Sequence, residues 1–248
     1  MSAILVADLK KRFGAVEAVA GIGFCVAPGE TLGLLGGNGA GKTTTIAMIM
    51  GLVRPSGGRV SVLGHDMAAE RHRALPRMNF ESPYVDMPLR LTVRQNLTVF
   101  GRLYGVADLK ARIAELAQDL SLEEFIDRPV GRLSAGQKTR VSLAKSLINA
   151  PAVLLLDEPT ASLDPDTADW VRSRIEAYQR RTKAAILLAS HNMGEVERLC
   201  GRVIILKRGR IEAEGTPGAL IERFGRSTLE EVFLDVARAP EKPPETVS

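Results

Sequence analysis

Cysteine is scarce in this sequence. The two cysteines, Cys25 and Cys200, lie far apart and fit no metal-ligand spacing, which argues against a disulfide framework or a zinc site. We expect both to be small buried hydrophobic residues in a reducing compartment. Aromatic residues are also few, at 4% of the chain, and the basic residues are spread along it. No nucleic-acid partner is expected, because such surfaces usually combine a clustered basic stripe with stacking rings.

Long hydrophobic runs are absent as well. The longest, "IAMIMGLV" and "AVLLL", fall far below the ~20 residues that cross a bilayer, and the N-terminal apolar run is too short for a signal peptide. We therefore expect a chain of the cytosol that cannot itself form a path through a membrane. Its net charge of +4, from 33 basic and 29 acidic residues, is compatible with a basic face beside anionic lipid or a membrane partner.

The chain does contain a clear pattern of strands and helices. Of its 248 residues, 45% are hydrophobic, which allows a sizeable core. The first part is typical of strands around a Pro28-Gly29 turn, helical periodicity begins near Leu91, and strands and helices alternate again from "AVLLLD" onward. Asp164-Pro165 is typical of a helix start and Arg208-Gly209 of a hairpin turn. The pattern predicts an α/β protein.

Two capping boxes are predicted in the helical part. Thr92 is followed by Gln95 and Ser121 by Glu124, each at the head of an apolar-periodic segment, as in the capping box. The first helix carries hydrophobic residues at helical spacing. We expect these to pack in the core: Val93, Leu97, Phe100 and Tyr104.

A glycine-rich phosphate-binding pattern lies between an apolar strand and a helical segment. Gly36-x-x-x-x-Gly41-Lys42-Thr43 is the Walker A motif, whose glycines let backbone N–H groups approach phosphate oxygens. Lys42 brings a positive charge to the β- and γ-phosphates, and the Thr43 hydroxyl can ligate Mg²⁺. The residues expected to bind the nucleotide here are Gly36, Gly37, Asn38, Gly39, Ala40, Gly41, Lys42, Thr43 and Thr44.

The stretch "VLLLDEP" supplies two carboxylates at the end of a predicted buried strand. Asp157 stands where it can hold the magnesium shell opposite Thr43. Glu158 comes next, where a carboxylate can polarise a water that attacks the γ-phosphate. Together the two motifs predict binding of ATP or GTP but leave the biological role open.

A second anion site is predicted nearly a hundred residues after the first. Residues 133–137, "LSAGQ", open a helical pattern, and a helix N-terminus presents free N–H groups at the positive end of its dipole. This stretch resembles the signature motif LSGGQ of ABC ATPases. Residues Ser162, Leu163 and Asp164 resemble the D-loop of that family.

Further motifs of the family follow in order. His191 resembles the switch histidine, and Phe13 resembles the aromatic residue that stacks on adenine. The resemblance implies an α/β fold with a P-loop NTPase (RecA-like) core, an N-terminal antiparallel β subdomain and an inserted α-helical signature subdomain. It implies an ABC ATPase domain over residues 1–235, with the helical subdomain at about 88–150 and a disordered tail at 236–248.

The resemblance also explains why one chain carries two anion sites. In ABC ATPases two nucleotide domains pack head to tail, and each ATP lies between Walker A of one domain and the signature of the other. The implied assembly is a dimer, either a homodimer or with a related ATP-binding subunit, that hydrolyses ATP with Mg²⁺ through the catalytic residues Glu158 and His191. The residues that would act in trans are Leu133, Ser134, Ala135, Gly136 and Gln137.

The sequence departs from the family pattern at four positions. Gly37 replaces the commoner proline, Ala135 a glycine, and Phe13 a tyrosine. Glu81 stands where the glutamine of the Q-loop is expected. A carboxylate there can still ligate Mg²⁺, although the segment up to "LTVRQNL" can also be aligned without Glu81 in that place.

ABC domains of this kind resemble the ATPase subunits of membrane transporters. This implies a transmembrane permease subunit as partner, docked at Ser82 to Leu91, and a peripheral location on the cytoplasmic side of the inner (plasma) membrane. The ending "TLEEVFLDVARA" resembles that of bacterial drug and nodulation-factor export systems, so we expect an exporter, with an importer as the alternative. A DNA-repair ATPase would carry a long coiled coil between its motifs, and an ABC translation factor would carry two such domains.

Overall fold

A computed structural model of the chain describes residues 2–82 and 87–239. Over these residues the chain forms two sheets and a set of helices around them. The strands are β1 Ile4–Phe13, β2 Val16–Val26, β3 Thr31–Gly36, β4 Gly57–Val62, β5 His65–Asp66, β6 Met78–Glu81, β7 Val153–Asp157, β8 Ala185–Ala189, β9 Arg202–Lys207 and β10 Arg210–Gly215. The α-helices are α1 Lys42–Ile49, α2 Arg71–Ala74, α3 Val93–Leu103, α4 Leu109–Asp119, α5 Ala135–Leu147, α6 Pro165–Thr182, α7 Met193–Leu199, α8 Pro217–Phe224 and α9 Leu229–Arg238.

The larger sheet has six strands in the order β10-β9-β3-β8-β7-β6. Strands β9, β3, β8, β7 and β6 are parallel to one another, and β10 pairs antiparallel with β9. Every residue of β3, β7 and β8 is buried, as in central parallel strands that are covered on both faces. The nearly uniform apolar sequences of these strands follow from that burial.

The smaller sheet is antiparallel, in the order β2-β1-β4-β5. In β2, Phe24 and Val26 are buried but Cys25 between them is exposed. The prediction that both cysteines are buried was therefore wrong for Cys25, because alternate side chains of a strand point to opposite faces. Cys200 is buried, and burial raises the pKa of its thiol. The smaller sheet and the six-stranded sheet confirm the predicted P-loop core with an antiparallel β subdomain.

Helices α3, α4 and α5 lie between β6 and β7 in the chain. The predicted cap of α3 is confirmed, because Gln95 N donates to Thr92 Oγ1 and Thr92 N donates to Gln95 Oε1. The four apolar residues predicted for α3 and its end lie in or against the core.

The second predicted capping box is wrong. Ser121 has a left-handed backbone, with φ of 53°, and its N–H donates to Gln118 O at the end of α4. Leu122, one residue later, precedes a short 3-10 turn at 123–125 that has no side-chain cap. The end of α4 thus determines the conformation of Ser121, because helices often end with a residue in the left-handed conformation.

The folded part extends past the predicted boundary at residue 235. Helix α9 continues to Arg238, and Val236 is buried in the core. Lys207 Nζ donates to the carbonyl oxygens of Val236 and Ala239. Residues 240–248 of the predicted tail, and residues 83–86 of the predicted docking segment, lie outside the described residues.

Within residues 2–82 and 87–239, no helix combines the length and the hydrophobicity needed to cross a bilayer.

Candidate functional site

The Walker A loop follows the central strand of the larger sheet. Strand β3 ends at Gly36, and α1 begins at Lys42. The register pairs Leu34 of β3 and Asp157 of β7 with the same residue of β8, Ala189. The carboxyl ends of the three strands therefore meet at one edge, which is where open α/β sheets bind their ligands.

Two glycines of the loop are required by close backbone contacts. A Cβ on Gly36 would lie 2.7 Å from Leu206 O. Gly41 has φ of 105°, and a Cβ there would lie 2.6 Å from Ala18 O. The loop is also joined to the β9–β10 turn, since Gly209 N donates to Ala40 O at 3.0 Å. This packing fixes the path of the loop, and a larger residue at either glycine would displace it.

Helix α1 presents its first residues to the end of β7. Lys42 Nζ donates to Gly36 O at 2.5 Å, so the amine lies over the loop. The hydroxyl of Thr43 lies within hydrogen-bonding reach of the buried carboxylate of Asp157 and favours its charged form. Burial, reinforced by the charge of Glu158, raises the pKa of Asp157, while Lys42 and the bond from Thr43 oppose that rise. The structure thus brings the Walker A lysine and threonine to the aspartate of β7.

Glu158 and His191 form a close pair beside this group. His191 Nδ1 lies 2.5 Å from Glu158 Oε2; the Glu158 side chain is 16% exposed and that of His191 is 69% exposed. Glu158 N donates to Ala189 O at 2.8 Å, which ties the residue to the end of β8. The two residues predicted to be catalytic are therefore neighbours, although they are far apart in sequence.

The turn after Glu158 is conformationally strained. Glu158 has φ of 57° and Ser162 has φ of 61°, a left-handed region that costs of order 1–3 kcal/mol for residues other than glycine. Such outliers persist where the surrounding structure determines the backbone, and they cluster at functional sites. Asp164 ends the turn by capping α6, accepting from Thr167 N at 3.0 Å. This bond holds the pKa of the Asp164 carboxyl below its usual range.

The signature loop, residues 133–137, forms the N-terminus of α5. Gln137 N donates to Ser134 Oγ and Ser134 N donates to Gln137 Oε1, which is a capping box. The spacing of serine and glutamine is that of a capping box and could have predicted this cap. The cap uses one of the first N–H groups of the helix, and the N–H groups of Ala135 and Gly136 are among those that have no partner within the helix.

The helix that follows the signature loop packs on a different strand from the one that leads into the Walker A loop. Helix α5 packs on β6, where Asn79 Nδ2 donates to Lys145 O. Strand β6 is separated from β3 by β8 and β7, a distance of ~14 Å at the usual strand spacing.

Glu81, which the register pairs with Leu156 of β7, contacts side chains of α5. It is 7% exposed, its Oε1 accepts from Ser142 Oγ, and Lys145 Nζ lies 3.3 Å from its Oε2. Burial raises the pKa of Glu81, while Lys145 and Ser142 favour the charged form. Glu81 thus connects the end of β6 to α5, and its role as a Mg²⁺ ligand stays a prediction.

Phe13 lies at the tip of the β1–β2 hairpin, opposite Val16. It is 51% exposed, and Lys11 Nζ lies 4.7 Å from the centre of its ring. Its role as the adenine-stacking residue stays a prediction.

Sequence reasoning missed a buried carboxylate behind the catalytic pair. Glu195 of α7 is 0% exposed and accepts from Thr160 Oγ1 at 2.8 Å. The spacing from Asn192 to Glu195 is typical of a capping box, in which the glutamate would face the helix start. Asn192 does accept from Glu195 N, but the carboxylate turns inward, and no sequence pattern predicts that.

Comparisons with known proteins identify the family of the chain. The sequence model of the family described as ABC transporter matches residues 19–161. The chain is 41% identical over 233 residues to the Nod factor export ATP-binding protein I of Rhizobium sp. (strain N33), covering 93% of this chain and 76% of that protein. It is 42% identical over 217 residues to the protein of the same name from Burkholderia orbicola (strain AU 1054), covering 87% of this chain and 71% of that protein.

Solved structures resemble the fold over nearly its whole length. A structure described as the ATP binding subunit of an ABC transporter has a TM-score of 0.86 at 28% identity, covering 95% of this chain and 99% of that one. The structure of cbiO1 from Clostridium perfringens, described as part of the ABC transporter complex cbiONQ, has a TM-score of 0.80 at 27% identity and covers 96% of each chain.

The contact between Glu81 and Lys145 predicts a pH-dependent loss of stability in Lys145→Met. The change leaves a buried carboxylate without its cation, which costs about 3–5 kcal/mol of unfolding free energy. The pKa of Glu81 rises further without Lys145, so the variant loses stability as the pH rises through that pKa. Urea unfolding at pH 5 and pH 8 should show a smaller loss at pH 5. The exposed Lys110→Met is the control, and equal losses at both pH values would contradict the prediction.

Proposed function

The chain belongs to the ABC transporter family and is an ATP-binding, ATP-hydrolysing subunit of such a transporter, and we propose that it drives export. The observation that carries the mechanism is the meeting of Thr43, Asp157, Glu158 and His191 at one sheet edge, with the signature loop elsewhere. The sheet edge therefore supplies one half of a composite nucleotide site, and the signature loop supplies the other half.

We propose that the Walker A loop binds the triphosphate of ATP. Its backbone N–H groups and Lys42 supply the positive charge, and the exposed ring of Phe13 supplies a stacking surface for adenine. The hydroxyl of Thr43 and the carboxylate of Asp157 are oxygen ligands of the type that Mg²⁺ prefers. When bound, Mg²⁺ neutralises charge on the β- and γ-phosphates.

Hydrolysis is assigned to the pair of Glu158 and His191. Glu158 is partly buried beside Asp157 and is oriented by the backbone of β8, so its carboxylate can accept the proton of an attacking water. Nδ1 of His191 contacts Oε2 of this carboxylate, and the His191 side chain is the more exposed of the two. From there its imidazole can reach the γ-phosphate and hold the carboxylate in position.

We propose that the signature loop binds the ATP of a second ATP-binding subunit. The N-terminus of α5 is an anion site of its own, and α5 packs on β6, which is three positions from β3 in the sheet, so we assign the two loops to different nucleotides. Head-to-tail pairing with a second copy places two such sites in one dimer, closed by a two-fold axis. ATP favours the closed dimer because the signature loop gains its anion only when the γ-phosphate is present.

The partner in transport is proposed to be a membrane permease on whose cytoplasmic side the dimer sits. The face of α3 and the residues before it expose three large apolar side chains, Leu89, Val99 and Leu103. This face adjoins the segment predicted to dock the permease. Export is supported by the relatives named Nod factor export ATP-binding protein I.

The catalytic role of Glu158 predicts a hydrolysis-deficient Glu158→Gln variant. Loss of the base should lower the rate of ATP hydrolysis about 10²- to 10⁴-fold, while the shape of the site and ATP binding are kept. Phosphate release measures the rate, and size-exclusion chromatography with ATP should show an accumulated dimer. The same change at exposed Glu212 on β10 is the control, and wild-type hydrolysis by Glu158→Gln would exclude Glu158 as the base.

The trans role of the signature loop predicts a different failure in Ser134→Arg. The bulky cation replaces the cap of α5, so the ATP-dependent dimer should be lost while each monomer still binds ATP. Fluorescent-nucleotide titration and light scattering separate the two properties, and Ala107→Arg, an exposed position before α4, is the control. Loss of ATP binding by the Ser134→Arg monomer would contradict a role in trans.

Docking on the α3 face predicts that Leu103→Glu loses the permease. Leu103 is 76% exposed, and Leu52, in the loop after α1, is 73% exposed, so Leu52→Glu is a matched control for the added charge. After co-expression with a candidate permease, Leu103→Glu should fail to copurify with it and Leu52→Glu should succeed. Equal recovery of both variants would exclude this docking face.

The direction of transport is tested with the assembled complex in vesicles. ATP-driven accumulation of a transported substrate in inverted vesicles supports export, and its accumulation in right-side-out vesicles means import.

A further inference from the structure

A buried carboxylate lies beneath the two segments that carry the catalytic pair. Glu195 is 0% exposed on α7, and its Oε1 accepts from the Thr160 hydroxyl at 2.8 Å. The hydroxyl of Ser190 also lies within hydrogen-bonding reach of the carboxylate and favours its charged form. Its Oε2 makes no hydrogen bond of ordinary geometry to the described residues. A charged group in such a place is costly unless it has a specific role or strong partners.

The first partner belongs to the strained turn. Thr160 is 6% exposed and lies between the two left-handed residues, Glu158 and Ser162. Within the turn, Ala161 N donates to Glu158 O at 3.0 Å and Leu163 N donates to Thr160 O at 3.3 Å. The side-chain bond from Thr160 to Glu195 is the contact that fixes this turn to α7.

The second partner belongs to the segment of the histidine. Ser190 is 1% exposed, immediately precedes His191, and its Oγ accepts from Asn192 N at 3.0 Å. Asn192 in turn caps α7 by accepting from Glu195 N. The helix that carries Glu195 therefore begins directly after the histidine, and its start is bonded to the histidine segment.

Charged groups around Glu195 act in opposite directions. Burial, with the charge of Glu158, raises the pKa of Glu195, and Arg172 with the two hydroxyl groups opposes that rise. The charge of Glu195 in turn contributes to the raised pKa of Cys200. The hydrogen bond from Thr160 is available to the carboxyl in either protonation state, because an oxygen accepts in both.

We propose that Glu195 is a positioning residue for ATP hydrolysis: it joins the turn after Glu158 to the segment of His191 and sets the distance between these two side chains. This inference rests on the proposed roles of Glu158 and His191. The hydroxyl partners of the Glu195 carboxylate are Thr160 and Ser190 and not the catalytic pair itself, so it acts through these two residues. Since reactive groups displaced by about 1 Å can lose 10²-fold in rate, a modest shift of the turn is enough to matter.

The kinetics of variants at Glu195 and Thr160 test the proposal. Glu195→Ala and Thr160→Val each remove the hydrogen bond and should lower kcat about 10- to 100-fold, with unchanged affinity for ATP. Glu195→Gln keeps an acceptor oxygen for Thr160 and should stay within about threefold of the wild type. In a Glu158→Gln background, Glu195→Ala should cause no further loss, because residues that act as a unit are not additive. Glu197→Ala, on the same helix but facing α9, is the control.

An NMR measurement makes the proposal independent of ATP turnover. The chain has three histidines, so the imidazole Hε1 signal of His191 is assigned by its loss in His191→Ala. Without nucleotide, Glu195→Ala and Thr160→Val should both shift the His191 signal and leave those of His65 and His72 unchanged. If the wild type fails to hydrolyse ATP but these shifts appear, the proposed function is wrong, while the inferred link of Glu195 between the turn after Glu158 and the segment of His191 is supported.

Two results would overturn the proposal. One is a lower melting temperature in Glu195→Ala and Thr160→Val with unchanged kcat and an unchanged His191 signal, which would make Glu195 a stabilising residue only. The other is a Glu195→Gln variant as impaired as Glu195→Ala, which would mean that the charge and not the hydrogen bond is needed. If Glu195→Ala does not fold, Thr160→Val decides, because it removes a single hydroxyl at nearly constant volume.

Discussion

The parallel pairing of β3, β8 and β7 is the constraint on which the rest of the structure depends. Because these strands run in one direction and in register, their carboxyl ends deliver three chain segments to one edge. The segments carry the Walker A loop, Glu158 and His191; more than a hundred residues separate the loop from Glu158, and His191 lies 33 residues after Glu158. Burial of every residue in the three strands fixes that edge against a rigid core.

The site at this edge is kept in a costly state by its surroundings. Asp157 and Glu195 are carboxylates buried against their preference for water, and burial raises the pKa of each. Glu158 and Ser162 adopt left-handed backbone conformations, which are unfavourable for residues other than glycine. These costs are offset by the apolar core and by specific hydrogen bonds. Such preorganised groups need no rearrangement at the moment of reaction.

A second set of contacts positions the helical part of the molecule. Glu81 at the end of β6 bonds Ser142 and pairs with Lys145 of α5, and Lys145 lies 6.0 Å from the centre of the Phe100 ring on α3. The end of β6, the signature helix and the proposed docking helix are therefore joined through one buried ion pair.

The sequence by itself determined what depends on neighbours in the chain. The strand, glycine loop and helix of Walker A, the cap at Thr92 and the hairpin at Arg208-Gly209 follow from local geometry. Composition and motif order were enough for the fold family, because each motif requires its own backbone shape. The exposed Cys25 and the left-handed Ser121 were mispredicted, since the strand pleat and the end of α4 overrode a residue-level preference.

Only the tertiary structure decided which side chains meet across the sheet. Glu81 has a residue type and position compatible with a metal ligand, yet packing of α5 on β6 places Lys145 and Ser142 beside it. Glu195 matches a helix cap in sequence, but α7 docks so that its carboxylate lies under Thr160. The physical reason is the same in both cases. A buried charge takes its partners from the elements packed around it, and those elements come from distant parts of the chain.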